Sequence, residues 1–201
     1  MRVFSKLHKL FSRGPRRSDG WLVTVYYTPV EEFCGGDLAT VTGNVSLTED
    51  GGGAHLGDYP SQFVERVMQE GTGRITSGDQ AGRYLNWSHN IGYWLDEAPR
   101  DAHGRPLRPF CSAAADPDVL RKGTRFRISS PGRRDNGEPP PPRVAELLAS
   151  TTWEIRDEFT PGYGSDKHLD LYIGEQTHSA FESSDMYVTI EGVQIVLPNS
   201  C

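Results

Sequence analysis

Helix breakers set the strongest constraint on this chain: 22 glycines and 14 prolines are scattered through its 201 residues. In a helix interior glycine costs about 1 kcal/mol and proline about 3 kcal/mol relative to alanine. Long helices and helical bundles are therefore excluded, and short strands joined by loops are favoured. Leu22-Val-Thr-Val-Tyr-Tyr-Thr28 is rich in β-branched and aromatic residues and is closed by Pro29, which reads as a strand. Further short strands are predicted over 111–116, 124–128, 152–156, 168–173, 186–190 and 193–197. A loose hairpin is expected around Val41 to Leu47, between Gly35-Gly36 and the run Gly51-Gly52-Gly53. Asp58-Tyr-Pro-Ser61 ahead of Phe63, Val64, Val67 and Met68 predicts a short helix with one apolar face, ended by Gly71 and Gly73. Two more short helices are expected at 143–149 and 177–182. Residues 131–143, with four consecutive prolines, read as an exposed polyproline-like loop, either a stiff linker or a docking tract. About six short strands separated by loops and small helices suit a closed barrel, since closure removes unpaired edges.

Charge and cysteine usage narrow the function. A formal net charge of −6 argues against nucleic acid as the partner, because neutralising phosphates needs clustered Lys and Arg. A neutral or amphoteric polysaccharide stays open. The first residues are the exception: Arg2, Lys6, Lys9, Arg13, Arg16 and Arg17 occur there with no acid. Residues 1–20 are expected to be a basic disordered leader, with an arm for an anionic surface as the alternative. Its apolar pieces are too short for a secretory signal, and no transmembrane span is present. The expectation is a soluble chain, cytoplasmic or exported by a non-classical route. Cys34, Cys111 and Cys201 are odd in number, and no His or Cys pair has metal-ligand spacing, so neither a metal nor a cofactor is expected. Cys34 and Cys111 are either a disulfide or two reduced residues beside strands.

The segment Ala113-Ala-Ala-Asp-Pro-Asp-Val-Leu-Arg-Lys-Gly-Thr-Arg-Phe-Arg-Ile128 resembles the three-aspartate (3D) pattern, in which a strand ends in Asp-Pro and a Gly-Thr turn follows. Asp116, Pro117, Gly123 and Thr124 match it in order and spacing. Ile155-Arg-Asp157 and His168-Leu-Asp-Leu-Tyr172 resemble the second and third aspartate motifs, and Tyr26-Tyr-Thr-Pro29 the family's first strand. Gly71-Thr-Gly-Arg74 is similar to a Glu-Gly-Ser-Gly-Arg-like segment of long members. The likeness spans about residues 21 to 197. This family includes membrane-bound lytic transglycosylase A and stationary-phase survival proteins, with expansins more distant. The resemblance implies a mainly β fold: a six-stranded double-psi β-barrel over 21–201, with a loop and helix insertion at about 36–108 and short peripheral helices. Between the second and third aspartates the chain departs from the family, with Glu158-Phe-Thr-Pro-Gly-Tyr-Gly-Ser-Asp-Lys-His-Leu169 in place of a Gly-Gly-Ala-Ile-Lys-Gly-like run.

Cleaving a glycosidic bond needs a proton for the leaving oxygen and stabilisation of an oxocarbenium-like charge. Acids held close together cannot all ionise, so one keeps its proton. The resemblance implies Asp170 as general acid and then base, closing a 1,6-anhydro ring on a peptidoglycan sugar. Asp157 raises the pKa of Asp170, and Asp116 orients the strand end. Tyr84 to Trp94 is dense in aromatic and amide groups, and Trp87, Tyr93 and Trp94 are read as a sugar-stacking platform or as packing of the insertion. Thr28, Glu70, Lys167 and His168 complete the candidate substrate-binding set. Ser112 lacks a Ser-His-Asp context. Two other readings stand beside a lytic-transglycosylase-like enzyme: an intracellular aspartate-dependent enzyme cyclising, dehydrating or hydrolysing a small metabolite, and a non-catalytic carbohydrate-binding barrel.

Overall fold

The computed structural model describes residues 15–48, 52–159 and 164–198. In chain order, β1 is Arg16–Thr28, β2 Leu38–Gly43 and β3 Ala54–Pro60, followed by helix α1, Ser61–Glu70. Then come β4 (Thr72–Arg74), β5 (Tyr84–Ser88), β6 (Gly92–Asp96), β7 (Ser112–Ala115), β8 (Arg125–Ser130) and β9 (Arg133–Arg134). Helix α2 (Pro142–Ser150), β10 (Trp153–Asp157), β11 (His168–Glu175) and β12 (Ile190–Leu197) complete the fold, which is mainly β.

The large sheet runs β1-β11-β7-β10-β8-β12-β9, and β1 also pairs with β12, so its hydrogen bonding closes into a ring with β9 appended. The sheet is mixed: β1 with β11 and β7 with β10 are parallel, and the other pairs are antiparallel. Alternation explains the core. Trp21, Val23, Val25 and Tyr27 of β1 pack with Leu169, Leu171 and Ile173 of β11 and with apolar residues of every other ring strand and α2. Trp153 is fully buried there; removing a large aromatic from such a position costs about 3–5 kcal/mol.

The elements from β2 to β6 fold around a second core of Val41, Leu56, Tyr59, Phe63, Val67, Ile75, Leu85 and Leu95. It combines the β2–β3 hairpin, the β4-β5-β6 sheet and α1. Phe63 and Val67 give α1 its buried stripe, and Gly71, at φ 82°, ends the helix in the left-handed conformation that glycine tolerates best. Gly73 follows because a Cβ there would collide with Val67 and Phe63, so β4 lies flush on the helix. The Arg74 N–H donates to the Pro29 carbonyl at 2.8 Å, tying this unit to the end of β1.

Four expectations are corrected. The first strand begins at Arg16, inside the stretch read as a disordered leader, because Arg16, Arg17 and Ser18 pair with Leu197, Val196 and Ile195 of β12; Met1 to Gly14 and Cys201 lie outside the described residues. The two expected terminal strands are one, β12, in which a register shift between its contacts with Trp21 and Val23 absorbs Glu191-Gly192. The helix expected at 177–182 is a single 3-10 turn, Phe181–Ser183, held by Phe181 against Tyr27 with ring centroids 4.9 Å apart. Cys34 and Cys111 are free thiols, so the disulfide alternative does not hold.

Candidate active site

Because Val23, Val25, Ala113, Ala115, Leu169 and Leu171 point into the ring core, Thr24, Tyr26, Ala114 and Asp170 stand on the opposite face. Register sets Thr24 beside Asp170, and Asp170 beside Ala114. Strand β10 breaks this parity. Trp153 and Ile155 are core residues, so strict alternation would send Asp157 inward as well. Between them and Asp157 the pairing with β7 slips, Arg156 and Asp157 together opposing Ala114. This bulge turns the Asp157 carboxyl to the outer face. Asp170 and Asp157 thus flank Ala114, roughly 10 Å apart in backbone position at two strand spacings. Only a methyl group stands between them.

The inserted unit closes over this face and leaves a cavity of about 130 Å³. The ring supplies Tyr26, Ala114, Asp157 and Asp170; the end of α1 and its cap supply Met68, Gln69, Glu70 and Gly71. The β5–β6 turn contributes Trp87, Ser88, His89 and Asn90, and the flanking loops contribute Arg100, Ala102, Glu158 and Phe159. Arg100 is engaged with Asp96 at 2.6 Å.

Each carboxyl is held by hydrogen bonds from its own surroundings. Thr24 donates to Asp170 Oδ1 at 2.8 Å, and His168 Nε2 lies 2.8 Å from the same hydroxyl. A hydroxyl donates once, so Thr24 accepts from the Nε2–H of a neutral His168. Burial lowers the His168 pKa, consistent with that neutral form, and the Phe159 ring stacks on the imidazole with centroids 4.5 Å apart. Asp157 Oδ1 accepts the N–H groups of Ala102 and Glu158, each at 2.9 Å, and Oδ2 accepts the Tyr26 hydroxyl at 3.3 Å. Glu70 Oε2 accepts the Tyr27 N–H at 3.1 Å. Burial, with the charge of Asp157 behind it, pushes Asp170 up to about 7 against the pull of Thr24. Burial likewise raises Asp157 to about 6, against its backbone hydrogen bonds. Glu70 rises to about 8 through burial and then the Asp170 charge. The cleft therefore concentrates proton-holding carboxyls near neutral pH.

Among the residues singled out from sequence, the cavity unites Asp170, Asp157, Glu70 and Trp87. His168 acts on Asp170 through Thr24. Asp116 does not line the cavity: its Oδ1 accepts the Asp118 N–H at 2.9 Å and its carbonyl accepts from Val119 and Leu120, as a turn cap does. Thr28 is fully buried against Tyr172, hydroxyl to hydroxyl at 2.6 Å; Thr24, two alternations earlier, meets the aspartate because the parallel register sets it there. Trp94 is fully buried, and Tyr93 packs against the second core and donates to the Val64 carbonyl at 3.3 Å, so neither forms a platform with Trp87. Lys167 is exposed and donates to the Asp19 carbonyl at 2.6 Å. Sequence reasoning missed Thr24, Tyr26, Ala114 and the Ala102 N–H. The first two were signalled by the period of β1, whose even positions share one face; Ala102 carries no signal, since it contributes only backbone.

Among the described residues no cluster of His, Cys, Asp and Glu is arranged to hold a metal ion, and no helix is long and apolar enough to cross a membrane. No family model and no curated protein matches the chain. Solved structures do. The chain is similar to Escherichia coli MltA with bound chitohexaose, at 14% identity over 90% of this chain and 72% of that one, with a TM-score of 0.56. It is also similar to a membrane-bound lytic murein transglycosylase from Agrobacterium tumefaciens, at 14% identity over 89% and 74% of the two chains, TM-score 0.54. MltA from Neisseria gonorrhoeae matches at 13% identity over 90% and 74%, TM-score 0.52. At these identities the likeness speaks for the fold.

Proposed function

We propose that this chain cleaves β-1,4 glycosidic bonds of a peptidoglycan-type glycan, as a lytic-transglycosylase-like enzyme on a six-stranded double-psi barrel. One observation carries the reading: Asp170 and Asp157 flank Ala114 on the ring's outer face, inside a cavity, with their proton affinities raised toward neutral pH. The ring of strands and the likeness to the MltA structures support the barrel. The glycan reading draws on the chitohexaose bound by one of those structures.

A carboxyl protonated near pH 7 suits a general acid, worth roughly 10² to 10⁴ in rate. In this reading Asp170 protonates the glycosidic oxygen as the bond to the anomeric carbon breaks. Asp157, tied by two N–H groups and Tyr26, keeps its position and stabilises the oxocarbenium-like charge. The Asp170 carboxylate then removes the proton from the substrate's own 6-hydroxyl, whose oxygen bonds to the anomeric carbon and closes a 1,6-anhydro ring. Water is not consumed. Trp87 at the cavity wall offers a face for one sugar ring.

The test is digestion of purified sacculi and of chitohexaose, read by mass spectrometry. Anhydro-ended fragments, lighter by one water than hydrolysis products, are expected from the unaltered chain and not from Asp170→Asn. Absence of anhydro ends from pH 4 to pH 9 overturns the reading.

A further inference from the structure

Glycan cleavage through Asp170 alone has one carboxyl give a proton and then take another, yet a second carboxyl, Glu70, lines the same cavity from the end of α1. We propose that Glu70 is a catalytic residue, the donor of the proton that reaches the leaving glycosidic oxygen, with Asp170 left to accept the proton of the attacking 6-hydroxyl. This rests on the glycan-cleavage reading and divides its proton work between two walls of the cleft.

Placement is the first support. Glu70 is the last residue of α1, delivered into the cavity because Gly71 stops the helix there and the Arg74–Pro29 contact ties the following strand to the end of β1. Its Oε2 is pinned by the Tyr27 N–H. Among the described residues no other hydrogen bond holds this carboxyl, and the residue lines the cavity. Asp170 is held in turn by the Thr24 hydroxyl on Oδ1, and the Leu171 backbone N–H also pulls its pKa down.

The surroundings favour the protonated form of Glu70. A carboxylate at a helix C-terminus meets the negative end of the helix dipole. Burial acts in the same direction, as do the charges of Asp170 on β11 and Glu182 on the neighbouring 3-10 turn; Arg66 on α1 itself and the Tyr27 N–H oppose them. Arg66 is shared with Glu182 at 3.5 Å, which weakens its hold on Glu70. Burial raises the proton affinity of both acids, and Glu70 at the helix end also meets the negative end of the helix dipole, which Asp170 on a strand does not.

The step balances. The Glu70 O–H proton passes to the glycosidic oxygen as the bond to the anomeric carbon breaks. The 6-hydroxyl oxygen forms the new bond to that carbon, and its proton passes to the Asp170 carboxylate. One proton has moved from Glu70 to Asp170, and exchange with solvent resets the pair.

Two substrates separate the roles: chitohexaose, whose alkoxide leaving group needs a proton, and a dinitrophenyl glycoside of the same sugar series, whose phenolate does not. Glu70→Gln keeps an acceptor for the Tyr27 N–H and should fold, as circular dichroism would verify. It is expected to lose roughly 10² to 10⁴ in kcat/KM on chitohexaose, and less than about tenfold on the aryl glycoside. Asp170→Asn is expected to lose activity on both. Glu70→Asp, which retains a retracted carboxyl, should recover part of the chitohexaose activity and its alkaline limb. Equal loss on the two substrates, or no loss on either, overturns the role of Glu70. If the unaltered chain cleaves neither, the glycan reading itself fails, which is a different outcome.

Discussion

Replacing Asp170 with asparagine should make the protein more stable, by an amount that depends on pH. The ordinary carboxyl value of 3.8 becomes about 7 in the folded chain. Between those values the folded state holds a proton that the unfolded state has released, so stability falls as pH rises through this window and the full cost is present above about pH 7. At about 1.4 kcal/mol per pH unit, the raised value corresponds to about 4 kcal/mol. Part of it belongs to the coupling with Asp157 and Glu70, so a gain of about 2 kcal/mol is the least expected for Asp170→Asn at about pH 8. Asparagine retains an oxygen for the Thr24 hydroxyl and adds no volume, so near pH 4 the variant and the unaltered chain should be nearly equal. Urea unfolding followed by tryptophan fluorescence at the two pH values measures the difference; in a thermal scan it is worth about 4 °C or more. A difference independent of pH, or a variant weaker at high pH, would show that the site does not hold its protons by burial.

Three further outcomes follow from the same geometry. Thr24→Val removes the hydroxyl that pulls the Asp170 pKa down; its titration, followed by carbon NMR of the carboxyl, should move up by about one to two pH units, the worth of a charged hydrogen bond, and an unmoved titration refutes the contact. Ala114→Leu fills the gap between the two aspartates; glycan cleavage should fall more than about 100-fold at a stability cost of about 1–3 kcal/mol, and normal turnover would mean that substrate does not enter there. Trp87→Ala should weaken chitohexaose binding by roughly 1 kcal/mol in calorimetry and cost less stability than Trp94→Ala, which removes a fully buried ring and should cost about 3–5 kcal/mol in urea unfolding; the reverse pattern would restore Trp94 as the sugar platform.

Much of this protein is written in local patterns. Glycine and proline spacing excludes long helices, and the apolar residues at 63 and 67 with Gly71 delimit α1, because caps and period act over a few residues. The period of two along β1 and β11 already separates Thr24, Tyr26 and Asp170 from the apolar set Val23, Val25, Leu169 and Leu171. Only tertiary structure decided which of those polar residues meet. Thr24 rather than Thr28 faces Asp170 because parallel register is set between strands 144 residues apart, as the separation of Thr24 from His168 shows. Asp157 reaches the same face through a bulge that no alternation rule anticipates, since the extra residue exists only relative to a partner strand. The aromatic residues at 87, 93 and 94 look equivalent in sequence and all pack in the insertion, yet of the three Trp87 alone also lines the cavity, because exposure is a property of what folds onto a residue. Glu70 joins the cavity for the same reason: its helix ends where the sequence says, and the ring of strands brings Asp170 to the same cavity.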